Sequence, residues 1–548
     1  MRILKISTLA IFLLLVPLGV SFAGGTGGIP ADQALSLDQV QLMAYPALDL
    51  DALAEEDSWR EEEGLPFRFA AARDVNLTPE NSGNWETLPD GRQLWRLRIA
   101  CPEVLSLNLG FTGYRLPMDA TLLMYSADQV GSILQFDADD NRSSGQLWTP
   151  ILLTSELVIE LEVDADDREK VILEIGRIGC GYRYFGEDFS NKSGLCNVDV
   201  VCPEGDDWRE DIASVGVYSF GGSKVCTGAL INNTAQDQRP LFLTADHCDI
   251  DVNNASSVVV YWNYESPTCG EQGGGTLEQY TYGDTLLANS ITSDFALLEL
   301  VESPDPVFGV TYAGWDRSGD VPPSAVCIHH PRTDEKSISF EDDELSITTY
   351  LVDVGPGNET HLRVENWDMG TTEPGSSGSP LFDPDHRIVG QLHGGYASCT
   401  QALPDWYGRL SVSWEGSGTP ETRLSDHLDP ADTGAMILNR YGAIDPEPEP
   451  LPPGEMDMSV ALVAPNPFLD FTVVSYHLNQ PAQVQVRVMN ILGHLVRNLG
   501  SFEGVEGDND NIAWDGKDDD GRPAAAGLYI FYLESLGQTA RGQVVRLR

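Results

Sequence analysis

The sequence predicts an all-β protein built from three folded parts, with a double β-barrel at its centre and a smaller β-sandwich on either side. Short runs that alternate apolar and polar residues recur along the chain. Gln93-Leu94-Trp95-Arg96-Leu97-Arg98-Ile99, Leu157-Val158-Ile159-Glu160-Leu161-Glu162-Val163 and Ala482-Gln483-Val484-Gln485-Val486-Arg487-Val488 are three of them, and such alternation marks half-buried strands. The chain has 548 residues, too many for one core, and hydrophobic residues make up 42% of it, enough for globular packing.

Residues 1–23 read as a removable secretion signal, with Arg2 and Lys5 ahead of the apolar run Leu9–Val20 and small residues around Ala23. No later run approaches the about 18 uninterrupted apolar residues of a bilayer span, so no membrane span is expected once the signal is gone. Acidic residues number 84 against 33 basic ones, a formal net charge of −51. That balance repels nucleic acid and anionic membrane surfaces and fits a soluble protein, secreted or attached to the cell surface, with a monomer expected. Nine cysteines in an oxidising compartment pair by default, and their odd number leaves one over.

Residues 24–192 carry the first group of alternating runs and are expected to form a β-sandwich-like domain closed by Cys101 with Cys180. This domain holds no constellation with catalytic chemistry. Its position suits a propeptide that assists folding and blocks a cleft, and a permanent accessory domain is the alternative.

The chemistry lies in residues 193–442. Thr372-Glu373-Pro374-Gly375-Ser376-Ser377-Gly378-Ser379-Pro380 places serines among glycines, where a hydroxyl and neighbouring backbone N–H groups face one substrate atom. A serine hydroxyl is a weak nucleophile and needs a base and a group to orient that base. Phe242-Leu243-Thr244-Ala245-Asp246-His247-Cys248 offers the base at the end of an apolar strand, and Ser293-Asp294-Phe295-Ala296-Leu297 offers the carboxylate at the start of another. Each motif alone is weak. The order His247, Asp294, Ser377 is that of the chymotrypsin fold, which makes Ser377 the expected nucleophile and a trypsin-like double β-barrel the expected architecture. His329 and His330 are adjacent and would point to opposite faces of a strand, and no His-Glu-x-x-His motif occurs, so neither a metal nor a cofactor is expected. Cys327, in an apolar run, reads as a buried thiol.

Longer motifs carry a resemblance. Cys196-Asn197-Val198-Asp199-Val200-Val201-Cys202-Pro203-Glu204-Gly205-Asp206, Leu230-Ile231-Asn232-Asn233-Thr234, Tyr261-Trp262-Asn263-Tyr264, His329-His330-Pro331 and Gly390-Gln391-Leu392-His393-Gly394-Gly395 together resemble the bacterial lysyl endopeptidases, secreted serine proteases that cut after lysine. The resemblance implies a triad of His247, Asp294 and Ser377, and an oxyanion hole from the N–H groups of Gly375 and Ser377. It also implies disulfides joining Cys196 to Cys399, Cys202 to Cys269 and Cys226 to Cys248. A trypsin-type pocket is excluded, because Thr371 stands six residues before Ser377 where trypsin has an aspartate. By resemblance Asp405 would take the substrate ammonium, although its position before a strand also suits a surface turn cap. His393 would shape the pocket beside an aromatic ring, yet Tyr350-Leu351-Val352-Asp353-Val354-Gly355 lacks the tryptophan expected there. A histidine in this strand also occurs in glutamyl endopeptidases, which gives the alternative specificity, and a non-catalytic surface adhesin on a protease fold is the rival from another class. Lys192 precedes the segment resembling the mature enzyme, so self-cleavage at Lys192-Ser193 is expected. Ser376 supplies no carboxylate for the released amino terminus.

Residues 443–455 are a Pro/Glu-rich spacer. Residues 456–548 pattern as a small β-sandwich, and Ala464-Pro465-Asn466-Pro467-Phe468, Asn490-Ile491-Leu492-Gly493 and Trp514-Asp515-Gly516-Lys517-Asp518 resemble type IX secretion sorting domains and flagellar hook-cap immunoglobulin-like modules. That resemblance implies secretion machinery as a partner. The acidic turn at Asp518-Asp519-Asp520-Gly521 lacks the spaced ligands of a calcium loop.

Overall fold

The structure is a computed structural model that describes residues 34–441 and 458–546, apart from short stretches at 129–130, 184, 186–192, 354–356, 467, 470, 491–494, 506, 519–520, 526 and 536–537. The expected signal, Lys192 and the Pro/Glu-rich spacer lie outside the described residues. The chain divides into two compact units, Met1–Ile444 and Asp445–Arg548. Strands dominate both units, as the alternating runs predict. Among the described residues, no helix is long and apolar enough to cross a membrane.

Two sheets make up the N-terminal sandwich. One holds six strands, including Gln93–Ala100 between Glu156–Val163 and Leu42–Ala44, and the other holds four, with Ile172–Gly181 between Ala70–Leu77 and Ser106–Arg115. Cys101 is bonded to Cys180. Next in the chain comes a sheet whose strand Val215–Phe220 pairs with both Val259–Tyr261 and Lys224–Leu230, so that six strands close into a barrel. Outside that ring, Phe67–Arg68 of the sandwich pairs with Lys224 and Val225 as a seventh strand.

The sandwich and the barrel share one core. A single apolar cluster runs from Phe69, Leu109 and Ile178 to Val217, Val225 and Tyr261, and Phe185 contacts Phe69, Tyr261 and Tyr264 ring to ring. The Ile151 amide donates to the Tyr261 hydroxyl at 3.1 Å. Alternation within each strand predicted an apolar face, but not that this face would continue into the barrel.

A ten-stranded sheet follows, in which Ala325–His329, Pro380–Phe382, Arg387–Gly395, Asp405–Arg409 and His361–Val364 are successive neighbours. Between it and the barrel lies a second apolar cluster, with Leu243, Phe295 and Leu297 on one side and Ile328, Phe382, Ile388 and Leu410 on the other. The C-terminal unit packs a three-stranded sheet on a four-stranded one around Val474, Val486, Trp514 and Phe531, and its Asp518 carboxylate accepts from the Arg522 amide across a turn.

If the shared core holds sandwich to barrel, Phe69→Ala should cost about 3 kcal/mol or more. The expected result is a melting temperature lowered by several degrees, read by calorimetry on the full chain. An unchanged transition would show that Phe69 contributes nothing across the boundary.

Candidate active site

His247 follows strand Leu241–Ala245 in a single tight turn, and the next residue, Cys248, is bonded to Cys226 in the adjacent hairpin. Asp294 immediately precedes strand Phe295–Leu300 with φ of +55°, a left-handed conformation uncommon outside glycine. That backbone is held from two sides: the Asp294 carbonyl accepts from the Asp246 amide at 3.0 Å and from Gln391 Nε2 at 3.1 Å. Thus fixed, the carboxylate is 1% exposed. Oδ1 accepts from the His247 backbone N–H, and Oδ2 contacts His247 Nδ1, each at 2.8 Å. An ionised carboxylate only accepts, so Nδ1 carries the proton and Nε2 offers its lone pair to the cleft.

The two groups shift each other in opposite directions. Burial pushes Asp294 up, but the charge and hydrogen bonds of His247, with His393 behind them, outweigh it and hold the carboxyl below its ordinary value. Burial pushes His247 down, and the charge and hydrogen bond of Asp294 reverse this and raise it above 6.5.

The glycine-serine loop distinguishes its own serines. Ser376 is fully buried and its hydroxyl meets His329 Nδ1 at 2.8 Å; Ser379 is equally buried, with its hydroxyl 3.2 Å from Cys327 Sγ. Only Ser377 is partly exposed. Its carbonyl accepts from the Thr227 amide at 2.8 Å, and Gly378 packs so closely on the strand leading to His247 that a Cβ would lie 2.2 Å from Thr244 Oγ1. Among the described residues the Ser377 hydroxyl and His247 Nε2 make no hydrogen bond to each other. Without substrate such bonds are often loose and tighten in the Michaelis complex. Gly375, with φ of +101°, lies against Arg332 N and His330 O, where a Cβ would be 3.1 Å from each.

Asp405 opens strand Asp405–Arg409 and is 1% exposed, so it is not the cap of a surface turn. Oδ2 accepts from Thr372 Oγ1 at 2.6 Å and Trp367 Nε1 at 2.8 Å, whereas Oδ1 is buried with no hydrogen-bond partner. Burial raises its pKa against the opposing pull of Thr372, Trp367 and the Ala397 amide. Gly395, its cross-strand neighbour, packs so closely on Asp405 that a Cβ there would sit 2.3 Å from Oδ1.

Comparison with known proteins gives the family of the chain. Residues 190–408 match the family model of the lysyl endopeptidase C-terminal domain, and residues 41–178 that of the lysyl endopeptidase N-terminal domain. A lysyl endopeptidase of Pseudomonas aeruginosa is 30% identical over 359 residues, covering 60% of this chain and 74% of the relative. The chain belongs to the lysyl endopeptidase family. It is a serine endopeptidase. Solved structures similar to it include a Glu endopeptidase in complex with MPD (17% identity, TM-score 0.26, 36% of this chain and 85% of that one) and the Rv3671c protease of M. tuberculosis in its active form (15% identity, TM-score 0.27, 41% and 88%).

In this lysyl endopeptidase family member the aromatic partner of His393 is present after all. Tyr350 stacks on the imidazole with ring centroids 3.5 Å apart and planes 2° from parallel. The expectation of a missing partner rested on the absence of tryptophan from that segment, and a tyrosine ring offers the same flat face. Behind the stack, His361 Nε2 meets His393 Nδ1 at 2.9 Å, and His361 Nδ1 meets Thr360 Oγ1 at 2.7 Å. Sequence reasoning missed His361, Trp367 and Thr372, for nothing local to them signals a role. The disulfides Cys196–Cys399, Cys202–Cys269 and Cys226–Cys248 are formed, and Cys327 is a buried free thiol pushed up to about 12 by burial. His247, Asp294 and His393 lie close enough to hold a metal ion, but Nδ1 of each ring is engaged already, by Asp294 in one case and His361 in the other. His329 faces Ser376 and Ser339, and His330 Nδ1 meets the Asp334 carbonyl.

Burial lowers His329 and His393 to about 3 and His361 to about 4. In the unfolded chain these rings take protons near pH 6.5, so below that pH the unfolded state binds more protons and stability falls with acidification. The expected outcome is a melting temperature that drops steadily from about pH 6.5 toward pH 4, with the imidazole NMR signals of His361 and His393 unmoved above pH 5. A His393 signal titrating near 6.5 would contradict the buried stack.

Proposed function

We propose that the protein hydrolyses peptide bonds on the carboxyl side of lysine. His247 removes the proton from Ser377 as its oxygen attacks the substrate carbonyl, and returns it to the leaving amine. Asp294 holds the imidazole in the required tautomer and stabilises the imidazolium. The N–H groups of Gly375 and Ser377 receive the oxyanion; a donor of this kind is typically worth about 3 kcal/mol. Water then releases the acyl-enzyme. The observation that carries the lysine assignment is the unpartnered buried oxygen of Asp405. A lysine ammonium brought to Oδ1 completes a desolvated ion pair, whereas a glutamate side chain would meet a like charge, which disfavours the glutamyl alternative. His393, stacked on Tyr350, lies 3.8 Å from Asp294 Oδ2 and covers that carboxylate. The name of the Pseudomonas aeruginosa relative supports the same substrate class.

The accompanying parts are read on the same terms. Secretion through the amino-terminal signal and sorting or surface attachment through the C-terminal module fit the chain's disulfides and acidity, with peptides as substrates and a monomer as the working form. The N-terminal sandwich acts as a folding scaffold. As a propeptide it would also cover the cleft, and its Glu61 lies 3.9 Å from Arg332, whose backbone N–H donates to the Pro374 carbonyl beside Gly375.

Ser377→Ala and His247→Ala should each abolish turnover of a lysyl ester while leaving secretion intact, and an organophosphonate should label wild-type protein at Ser377; no labelling would favour the adhesin reading. Asp405→Asn should lower kcat/KM for lysyl substrates by about 100-fold or more with little effect on an uncharged substrate. Equal losses on both would make Asp405 structural.

A further inference from the structure

The first described residues of the protease segment are tied to the loop that carries Gly375 and Ser377. Ser193 is buried, its backbone N–H donates to Asp334 Oδ2 at 3.2 Å, and its hydroxyl donates to the same oxygen at 2.6 Å. Gln272 Nε2 bridges that oxygen and the Ser193 carbonyl at 3.1 Å each. One residue on, the Gly194 N–H donates to Glu373 Oε2 at 2.8 Å, as does Asn197 Nδ2. Gly194 has no room for a side chain, since a Cβ would lie 2.2 Å from Cys399 Sγ of the neighbouring disulfide.

Both acceptors belong to the walls of the expected oxyanion hole. Glu373 lies two residues before Gly375. Asp334 ends a turn in which Arg332 and Thr333 have φ of +50° and +63°. From that turn the Arg332 N–H donates to the Pro374 carbonyl at 2.7 Å, and its side chain meets Glu373 Oε1 at 3.2 Å. The Asp334 carbonyl in turn holds His330, whose own carbonyl packs on Gly375. A pull at Ser193 or Gly194 is therefore transmitted to the Gly375 N–H through two short paths.

We propose that Asp334 and Glu373 are positioning residues that use the amino-terminal end of the mature protease, beginning at Ser193, to set the oxyanion-hole loop, with Asp334 as the counter-ion of the new α-ammonium. The proposal rests on the lysyl endopeptidase reading, because cleavage after Lys192 creates that end. Hydrolysis breaks the bond between the Lys192 carbonyl carbon and the Ser193 nitrogen, water supplies the oxygen of the new Lys192 carboxylate, and the freed amine takes up a proton. The nitrogen already sits at Asp334, so the cut replaces a neutral donor by a cationic one, whose hydrogen bonds are shorter and about twice as strong. Ser376 supplies no carboxylate, and the partner comes instead from a turn 42 residues earlier in the chain.

The test compares wild type, Asp334→Asn and Glu373→Gln, each as the full chain processed by a trace of wild type and checked for Ser193 at the amino terminus by sequencing, together with uncut Lys192→Gln. Two quantities are read: the labelling rate of Ser377 by an uncharged phosphonate, which needs no lysine, and kcat and KM on a lysyl ester. Asp334→Asn is expected to lose about tenfold or more in labelling rate and kcat, with KM changed less than about threefold, and to match the uncut protein. Glu373→Gln should show a smaller loss of the same kind. Wild-type rates in processed Asp334→Asn, or an active wild type that does not begin at Ser193, would overturn the proposal. Should Asp334→Asn fail to fold, the reactivity of the Ser193 amine in native wild type toward an amine reagent decides, because a rate equal to that in denatured protein also overturns it. A wild type that labels at Ser377 but spares the lysyl ester would count against the lysine assignment alone, since the contrast in labelling is read without that substrate.

Discussion

Burial of the Asp294 carboxylate is the constraint around which the site is built. A charge with 1% exposure persists only when both oxygens are satisfied, and here one residue, His247, supplies a donor to each. That requirement fixes the imidazole plane, the tautomer and the direction of Nε2 together. It also dictates the backbone, because only the left-handed conformation at Asp294 turns the carboxylate back toward the preceding strand, and Gln391 from the second sheet pins it there. The meeting of the two sheets is thus a condition for the charge to exist, and the apolar cluster between them keeps water from dissolving it.

How much of this was legible depended on whether the information was local. The strands, the ends at which His247 and Asp294 stand, and the three-serine loop all have local signatures of alternation and glycine content. Ser377 was the expected nucleophile from the sequence, but what holds the two neighbouring serines aside lies far along the chain: His329 takes the Ser376 hydroxyl and Cys327 lies against that of Ser379. Tyr350 was overlooked for a related reason. The stack on His393 requires a flat ring at one point in space and not a tryptophan at one point in sequence, and His361 behind it arrives from a neighbouring part of the same sheet, beyond Asp405–Arg409. Thr372 and Trp367 share the Asp405 oxygen across 33 and 38 residues of sequence, respectively.

The N-terminal sandwich shows the same limit at the scale of domains. Composition marks a boundary near residue 192, but the core does not respect it, since Phe67–Arg68 extends the barrel sheet and Phe185 fills the space among Phe69, Tyr261 and Tyr264. A strand added at a sheet edge satisfies backbone groups that would otherwise need water. Its effect on the barrel is greatest along Lys224–Leu230, the strand that includes Cys226, which is bonded to Cys248 beside His247. The sandwich therefore supports the histidine from behind, and its Glu61 reaches Arg332, beside the Gly375 loop, at 3.9 Å.

Two buried aspartates with different partners complete the logic. Asp294 has a donor on each oxygen from within the protein, and its pKa falls; Asp405 has two side-chain donors on one oxygen and no side-chain donor on the other, and its pKa rises. The first is finished in the free enzyme, and its charge is constant while the imidazole changes state. The second is left incomplete, and under the proposed lysine specificity its desolvation would be offset when a substrate ammonium arrives. Selectivity of this kind draws on an unfavourable state of the free protein. An uncharged side chain in the same place would leave the carboxylate as costly as before, while an ammonium removes the cost and adds an attraction, so the difference between the two substrates exceeds the energy of the new contact alone.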